Sequence, residues 1–145
     1  DDGLPDEALA AFRVAAGRRY GVRFGALALN FYRWGRDSVA FHTDRELRHV
    51  DDTLVVILTL GATRPFLLRP VGGGRSVDLR PASGDLIVMG GTCQETWEHG
   101  VPKVARGSGP RISASIRWAR RGGCETQWAP PDRQVGGQGL EEPSL

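Results

Sequence analysis

Residues 24–46 read FGALALNFYRWGRDSVAFHTDRE and contain two strand patterns on either side of a turn. Over residues 24–34 side chains alternate, so that an extended chain would have one apolar face and one face with polar groups, as expected for a strand. Residues 35–37, GRD, are typical of a turn, and residues 38–42 suit a second short strand. The stretch therefore predicts a pair of connected β-strands.

The same kind of pattern continues along the chain. Further strands are predicted at residues 54–60, 65–69, 75–80, 86–89 and 111–119. A short amphipathic helix is predicted at residues 5–17, where acidic residues precede apolar positions at helical spacing. Short strands separated by turns are typical of a sandwich or jelly roll, so we expect a mainly β fold with a short N-terminal helix.

The composition argues against two classes of protein. The chain has 145 residues, 40% of them hydrophobic, and no apolar run near the roughly 18 to 20 residues that cross a bilayer. Lys and Arg number 19 against 17 Asp and Glu, which gives a net charge of +2. A protein of this charge has no strong basic field, so any nucleic acid would have to bind to local patches of arginine.

The cysteines and the two ends of the chain lead to further expectations. Cys93 and Cys124 form no Cys-x-x-Cys pair, and the first residues lack the pattern of a secretory leader, so we expect a cytoplasmic protein. We expect residues 1–119 to form one monomeric domain. Residues 120–145 contain few aliphatic side chains and are expected to be a flexible tail.

Three residues could bind a metal ion. His42 and Asp44 are two positions apart at a predicted strand end, so their side chains point to the same side, and His99 could join them. Two histidines and one carboxylate are the ligands of non-haem Fe(II) oxygenases, which leave coordination positions open. A His-x-Asp pair alone is also common as a surface accident or a hydrogen-bonded turn.

The last predicted strand has one polar face, formed by Arg111, Ser113, Ser115 and Arg117. Burial of an unpaired guanidinium costs several kcal/mol, so an inward orientation of this face requires an anion between the sheets. The alternative is an outward, solvated face, with the opposite side of the strand in the core.

Asn30 and Tyr32 share a face of the first predicted strand and offer an amide and a phenol for hydrogen bonds. Together with the candidate metal ligands and the two arginines, they describe a cavity that binds a metal and a dicarboxylate.

Two blocks of the chain resemble the AlkB family of Fe(II)- and 2-oxoglutarate-dependent dioxygenases. Residues 30–46 are similar to its Asn-x-Tyr, Gly-x-Asp and His-x-Asp-x-Glu signature. His99 and the Arg-x-x-x-x-x-Arg pattern from Arg111 to Arg117 resemble its second block. The resemblance covers about residues 24–119 and implies a double-stranded β-helix, also called a jelly roll.

The resemblance also implies a role for each matched residue. Fe(II) would be bound by His42, Asp44 and His99. The cosubstrate, 2-oxoglutarate, would be held by Asn30, Tyr32, Arg111, Ser113, Ser115 and Arg117. Arg111 would pair with its distal carboxylate, helped by Tyr32 and Ser113, and Arg117 would lie with Asn30 near the end that chelates iron. Dioxygen would take the remaining position on the metal.

The implied activity is oxidative demethylation of N-alkylated nucleobases of the 1-methyladenine or 3-methylcytosine type, in DNA or RNA. Glu46 lies where the family reads the exocyclic amine of a damaged base, and Trp34 is a second candidate for substrate contact. Trp34 and Trp97 are also interpreted as core or pocket-wall residues. A base must leave its stack to enter such a pocket, so single strands are the expected substrate. Candidate phosphate contacts are Arg33, Arg36, Arg45, Arg48, Arg64, Arg69 and Arg75.

Two departures from the family pattern leave other functions open. Ser113 and Ser115 stand where well-known members have Asn and Thr, and we expect the N-terminal nucleotide-recognition lid to be largely absent from this chain. One alternative is the same chemistry on a protein, lipid or small molecule. A second is a fragment that binds metal and cosubstrate without turnover, and a third is a structural β-sandwich with an incidental His-x-Asp.

Overall fold

The computed structural model describes residues 6–48, 50, 52–105 and 108–120. Helix α1 (Glu7–Tyr20) begins after Asp6, whose side chain accepts a hydrogen bond from the backbone N–H of Ala8. It ends at Gly21, which has a positive φ of 68°. The helix is longer than predicted because Gly17 continues it and Gly21 ends it. The predicted tail lies outside the described residues from residue 121 onward.

The strands form two antiparallel sheets. The strands are β1 (Ala28–Tyr32), β2 (Val39–His42), β3 (Thr53–Gly61), β4 (Leu67–Pro70), β5 (Val77–Asp78), β6 (Leu86–Gly91), β7 (Trp97–Val101) and β8 (Arg111–Ala119). The order is β1-β8-β3-β6 in the first sheet and β2-β7-β4-β5 in the second. A 3-10 helix (Arg45–Leu47) follows β2, and a short helix α2 (Cys93–Thr96) precedes β7. The prediction of a mainly β jelly roll with one N-terminal helix is confirmed.

Strand β7 is missing from the sequence prediction. Its residues WEHGV include a charge, a histidine and a glycine, so they lack the alternation that predicts a strand. In the structure Glu98 pairs with Arg69 of the neighbouring strand β4, and His99 is buried. Pairing with β2 and β4 therefore stabilises a strand that its local sequence does not favour.

The first sheet is packed on both of its faces. Its inner face meets the second sheet around a core of Tyr32, Leu47, Val55, Ile57, Phe66, Ile87, Met89 and Val101. On its outer face α1 contributes Ala16 to a second cluster with Phe24, Val56 and Ile116. Strand β8 pairs with both β1 and β3, and so lies inside the sheet with both faces covered.

Among the described residues, no helix has the length and apolar character needed to span a membrane.

Candidate active site

The three candidate metal ligands lie together at one end of the second sheet. His42 is the last residue of β2, and the antiparallel pairing of β2 with β7 places it opposite His99. Asp44 immediately precedes the 3-10 helix, and its Oδ1 lies 3.8 Å from Nε2 of His42. One ligand atom from each residue falls within 4.8 Å of the others. The three side chains can therefore share one metal ion.

Hydrogen bonding orients the first histidine. Nδ1 of His42 lies 2.9 Å from the carbonyl oxygen of Ala40, which suits an Nδ1–H donor. In that tautomer the lone pair of Nε2 points away from the backbone and is available to a metal.

The second histidine is buried and neutral. His99 stacks on Phe66 with 5.6 Å between ring centroids, and its Nδ1 has no hydrogen-bond partner in the described part of the chain. Burial lowers the pKa of His99 to about 4, with His42 adding to this effect and Asp44 opposing it. Because a metal ligand must be deprotonated, this environment keeps His99 in the form that binds metal at neutral pH.

The pKa of His99 predicts how the stability of the metal-free protein depends on pH. In the unfolded chain this histidine takes up a proton near its ordinary pKa of 6.5, whereas in the folded protein it takes one up only at about 4. The unfolded state therefore binds more protons between these values, and the free energy of unfolding should fall by up to about 1.4 kcal/mol per pH unit as pH decreases. Denaturant titrations of metal-free protein across this range should show the slope, and His99→Gln should lack it. Equal slopes in both proteins would contradict the prediction.

Asp44 is fixed from two sides. Nε of Arg117 donates a hydrogen bond to Oδ2 of Asp44 across 2.5 Å, which leaves Oδ1 directed at His42. The backbone N–H of Asp44 donates to Oε1 of Gln94 across 2.8 Å. Gln94 is 1% exposed and lies on α2, fifty positions along the chain. No pattern in the sequence links these two residues, so sequence reasoning missed Gln94.

Replacement of Gln94 should weaken metal binding. Gln94→Ala leaves the N–H of Asp44 without its acceptor, so we expect the affinity for Co(II) to fall by about tenfold, at the lower end of the effect of outer-shell partners. Titration of the Co(II) absorption spectrum measures this change. Glu95→Ala, an exposed neighbour on the same short helix, is the matched control. Unchanged Co(II) affinity in folded Gln94→Ala would argue against this role.

The polar face of β8 points between the sheets. Arg111 is 0% exposed, and Ser113 and Ser115 are also buried. The alternative of an outward, solvated face is therefore wrong. The pairing of β1 with β8 places Asn30 opposite Ser113 and Tyr32 opposite Arg111. The two strand faces singled out in the sequence thus form one continuous surface.

Arg111 is a buried cation without a carboxylate partner among the described residues. Its Nη2 donates to Oγ of Ser113 across 3.3 Å, and its Nη1 to the carbonyl oxygen of Arg64 across 3.4 Å. Within the same part of the chain, Nε has no partner. Burial lowers the pKa of the Arg111 guanidinium. A buried guanidinium with a free donor is suited to binding an anion.

A cleft of about 420 Å³, including its open mouth, lies beside these groups, and Arg111 and Asp44 are not among its lining residues. Its lining residues are Asn30, Tyr32, Val39, His42, Val55, Ile57, Phe66, His99, Gly100, Val101, Ser113, Ser115 and Arg117. Arg117 lies at the end with the metal ligands, and Arg111 lies six residues away along the same strand. The donor set of two imidazoles and one carboxylate suits Fe(II), so the residues fit the metal that the sequence implied.

The two candidate substrate residues occupy different places. Glu46 is exposed, and its Oε1 lies 3.9 Å from Nε of Arg117, beside the metal ligands. Trp34 is 65% exposed and follows Tyr32, at the end of β1 that pairs with Arg111. The structure therefore brings Glu46 to the candidate metal site but not Trp34. The prediction that Trp34 and Trp97 are core or pocket-wall residues is wrong, because both are exposed and neither lines the cleft.

Arg64 is not a phosphate contact, because its side chain is buried. The residue is 1% exposed, and its guanidinium donates to backbone carbonyl oxygens of the turn between β1 and β2 and of Pro102. These carbonyl oxygens need donors once they leave water. Sequence reasoning missed this role because arginine is a common surface residue and its backbone partners carry no signal.

Comparison with known proteins gives the family. A model of the 2OG-Fe(II) oxygenase superfamily, named after 2-oxoglutarate and iron, matches residues 2–128. The mouse protein named alpha-ketoglutarate-dependent dioxygenase alkB homolog 3 is 34% identical over 103 residues, which cover 65% of this chain and 36% of the relative. The Arabidopsis thaliana DNA oxidative demethylase ALKBH2 is 31% identical over 120 residues, covering 67% and 38%.

A solved structure has the same fold. The structure of OsALKBH1 aligns with a TM-score of 0.56 and 18% identity, over 79% of this chain and 66% of that one. The chain spans little more than a third of the length of the curated relatives described above. With the family match over most of its length and the alkB homologues among its relatives, this chain belongs to the AlkB family of the 2OG-Fe(II) oxygenase superfamily.

Proposed function

We propose that this protein is a dioxygenase that uses Fe(II), 2-oxoglutarate and dioxygen to remove N-methyl groups from nucleobases. The expected lesions are of the 1-methyladenine or 3-methylcytosine type. The observation that carries the proposal is the cluster of two histidines and a carboxylate beside a cleft that Arg117 lines, with the buried Arg111 on the same strand.

In this proposal three side chains bind the iron, namely His42, Asp44 and His99. Bound Fe(II), with 2-oxoglutarate and dioxygen, supplies the oxidising power to hydroxylate the methyl group. Arg117 and Gln94 keep the Asp44 carboxylate in place through their hydrogen bonds to its Oδ2 and its backbone N–H. The contact between Nδ1 of His42 and the carbonyl oxygen of Ala40 favours the tautomer whose Nε2 is free to bind the metal.

The arginines would orient the cosubstrate. Arg111, with Tyr32 and Ser113 beside it, would pair with the distal carboxylate, because its buried charge has no other anionic partner among the described residues. Asn30, Ser115 and Arg117 would lie along the other end, where Nη1 of Arg117 already donates to Oγ of Ser115 across 3.1 Å. The neutral phenol of Tyr32 suits this role, since burial raises its pKa while the nearby arginines oppose that rise.

Nucleic acid is the proposed substrate class. One relative is named a DNA oxidative demethylase. Glu46 offers an exposed carboxylate beside the candidate metal site that could accept a hydrogen bond from an exocyclic amine. A base must be extruded to reach the cleft, which favours single strands. The choice between DNA and RNA, a monomeric state and a cytoplasmic location stay predictions.

The test is mass spectrometry of a single-stranded oligonucleotide that carries one 3-methylcytosine. The protein is incubated aerobically with Fe(II), ascorbate and 2-oxoglutarate, and His42→Ala is the control. We expect loss of the mass of one CH₂ group from the oligonucleotide only with intact His42 and 2-oxoglutarate. An equal mass loss with His42→Ala would refute the proposed metal site.

Three other results would point to the alternatives. Succinate formation that depends on 2-oxoglutarate, without demethylation, would support the iron chemistry on another class of substrate. Binding of metal and 2-oxoglutarate without succinate would indicate a binding module. A structural sandwich would bind no metal stoichiometrically.

A further inference from the structure

We infer that Arg64 is a positioning residue that shapes the end of the cleft where the distal carboxylate of 2-oxoglutarate would bind. The inference rests on the proposed function, but it concerns a residue outside the metal ligands and the cleft lining. Arg64 belongs to the loop between β3 and β4 and is among the largest fully buried side chains of the described chain.

The guanidinium of Arg64 joins two backbone segments. Nη1 donates to the carbonyl oxygen of Trp34 across 3.2 Å, and Nη2 donates to those of Asp37 and Pro102 across 2.8 Å each. The carbonyl oxygen of Gly35 is 3.5 Å from Nη2 and accepts a second bond, 2.9 Å long, from the N–H of Val104. Arg64 therefore links the turn after β1 to the segment after β7.

The backbones of the two segments are in close contact. A Cβ atom on Gly35 would lie 2.4 Å from the carbonyl oxygen of Val104, so only glycine fits there. The first of the Arg64 contacts is to Trp34, two residues after Tyr32, so Arg64 holds the backbone next to a residue that lines the cleft.

Arg64 also contacts Tyr32 and Arg111, which lie at the same end of the cleft. Its guanidinium lies 5.2 Å from the centre of the Tyr32 ring, while the guanidinium of Arg111 lies 5.8 Å from the same centre. The carbonyl oxygen of Arg64 accepts a hydrogen bond from Nη1 of Arg111. Arg64 thus contacts the Tyr32 ring through its side chain, and through its backbone carbonyl it accepts a hydrogen bond from Arg111, the proposed carboxylate-binding residue.

The charge of Arg64 has a further effect. Two buried guanidiniums near one ring repel each other, and Arg64 adds to the burial that lowers the pKa of Arg111. Among the described residues no carboxylate pairs with either, so an incoming carboxylate would relieve this repulsion. Lysine keeps the charge but lacks the planar fork that reaches several carbonyl oxygens.

The experiment compares two 2-oxoacids bound to Mn(II)-loaded protein by calorimetry. Pyruvate has the metal-chelating 2-oxoacid group but no distal carboxylate, whereas 2-oxoglutarate has both. For Arg64→Lys we expect affinity for 2-oxoglutarate to fall by about tenfold, with unchanged affinity for pyruvate and Mn(II). Arg23→Lys, the same exchange at an exposed arginine, is the control and should bind both acids as the wild type does.

Wild-type affinity for 2-oxoglutarate in folded Arg64→Lys would overturn the inference, as would equal losses for the two acids. A second measurement needs no variant. In the wild type, 2-oxoglutarate should slow amide hydrogen exchange of Asp37 and Val104 more than pyruvate does, and equal protection would also overturn it. If wild-type protein binds neither acid, the proposed function fails, which is distinguishable from a failure that concerns Arg64 alone.

Discussion

Asp44→Asn should lower metal affinity by about 100-fold or more and abolish turnover, while the protein stays folded. The amide has the shape of the carboxylate but no charge, and in the wild type that charge lies between two imidazoles and a guanidinium. Fe(II) favours an anionic oxygen beside two neutral histidines. We therefore expect loss of the charge to weaken metal binding more than it destabilises the fold. Co(II) titration measures the affinity, and succinate formation measures turnover.

The control for this variant is Asp52→Asn. Asp52 forms an exposed ion pair with Arg120, and a pair of this kind contributes little to stability. This control should bind Co(II) and form succinate as the wild type does. Wild-type Co(II) affinity in Asp44→Asn would show that the three residues do not form the metal site.

Arg111→Met should separate cosubstrate binding from stability. Methionine fills much of the same buried space but cannot pair with a carboxylate, so we expect affinity for 2-oxoglutarate to fall by about 100-fold while Co(II) affinity is retained. The same change removes a buried charge that has no carboxylate partner among the described residues. The ligand-free variant should therefore be more stable than the wild type, by about 1 kcal/mol.

Calorimetry with 2-oxoglutarate and denaturant titration of the ligand-free protein measure these two effects. Arg23→Met exchanges the same residue types at an exposed position and should change neither quantity. Tight binding of 2-oxoglutarate by Arg111→Met would remove Arg111 from the proposed site. A large loss of stability would mean that the guanidinium stabilises the fold through its hydrogen bonds to Ser113 and Arg64.

Most of the fold was predictable because its strands follow local patterns. Seven of the eight strands overlap predicted ones, and β7 was missed because WEHGV is held in the sheet by its neighbours. Alternation alone could not predict which face of β8 points between the sheets. One face is polar and the other is apolar, and either could point inward. The covering helix α1 and the second sheet decide the question.

The candidate site was predictable where a few residues of one segment carry it. His42 and Asp44 are two positions apart, and the arginines of β8 share one strand. The supporting residues were not predictable, because Gln94 and Arg64 act on backbone groups of distant segments. A backbone N–H or carbonyl is present at every position, so the sequence holds no mark of which one is used. Trp34 was wrongly predicted to be buried, because its sequence does not show that the turn after β1 exposes its side chain to solvent.

The burial of β8 on both faces restricts how this protein can evolve. A one-residue insertion near its start would exchange the faces of the whole strand and place Ile116 in the cleft and Arg117 against α1. The candidate site and the hydrophobic core would be disrupted in the same step. A change that keeps both faces in place therefore exchanges side chains at a constant length, and the small residues Ser113 and Ser115, which line the cleft, leave room for such exchanges.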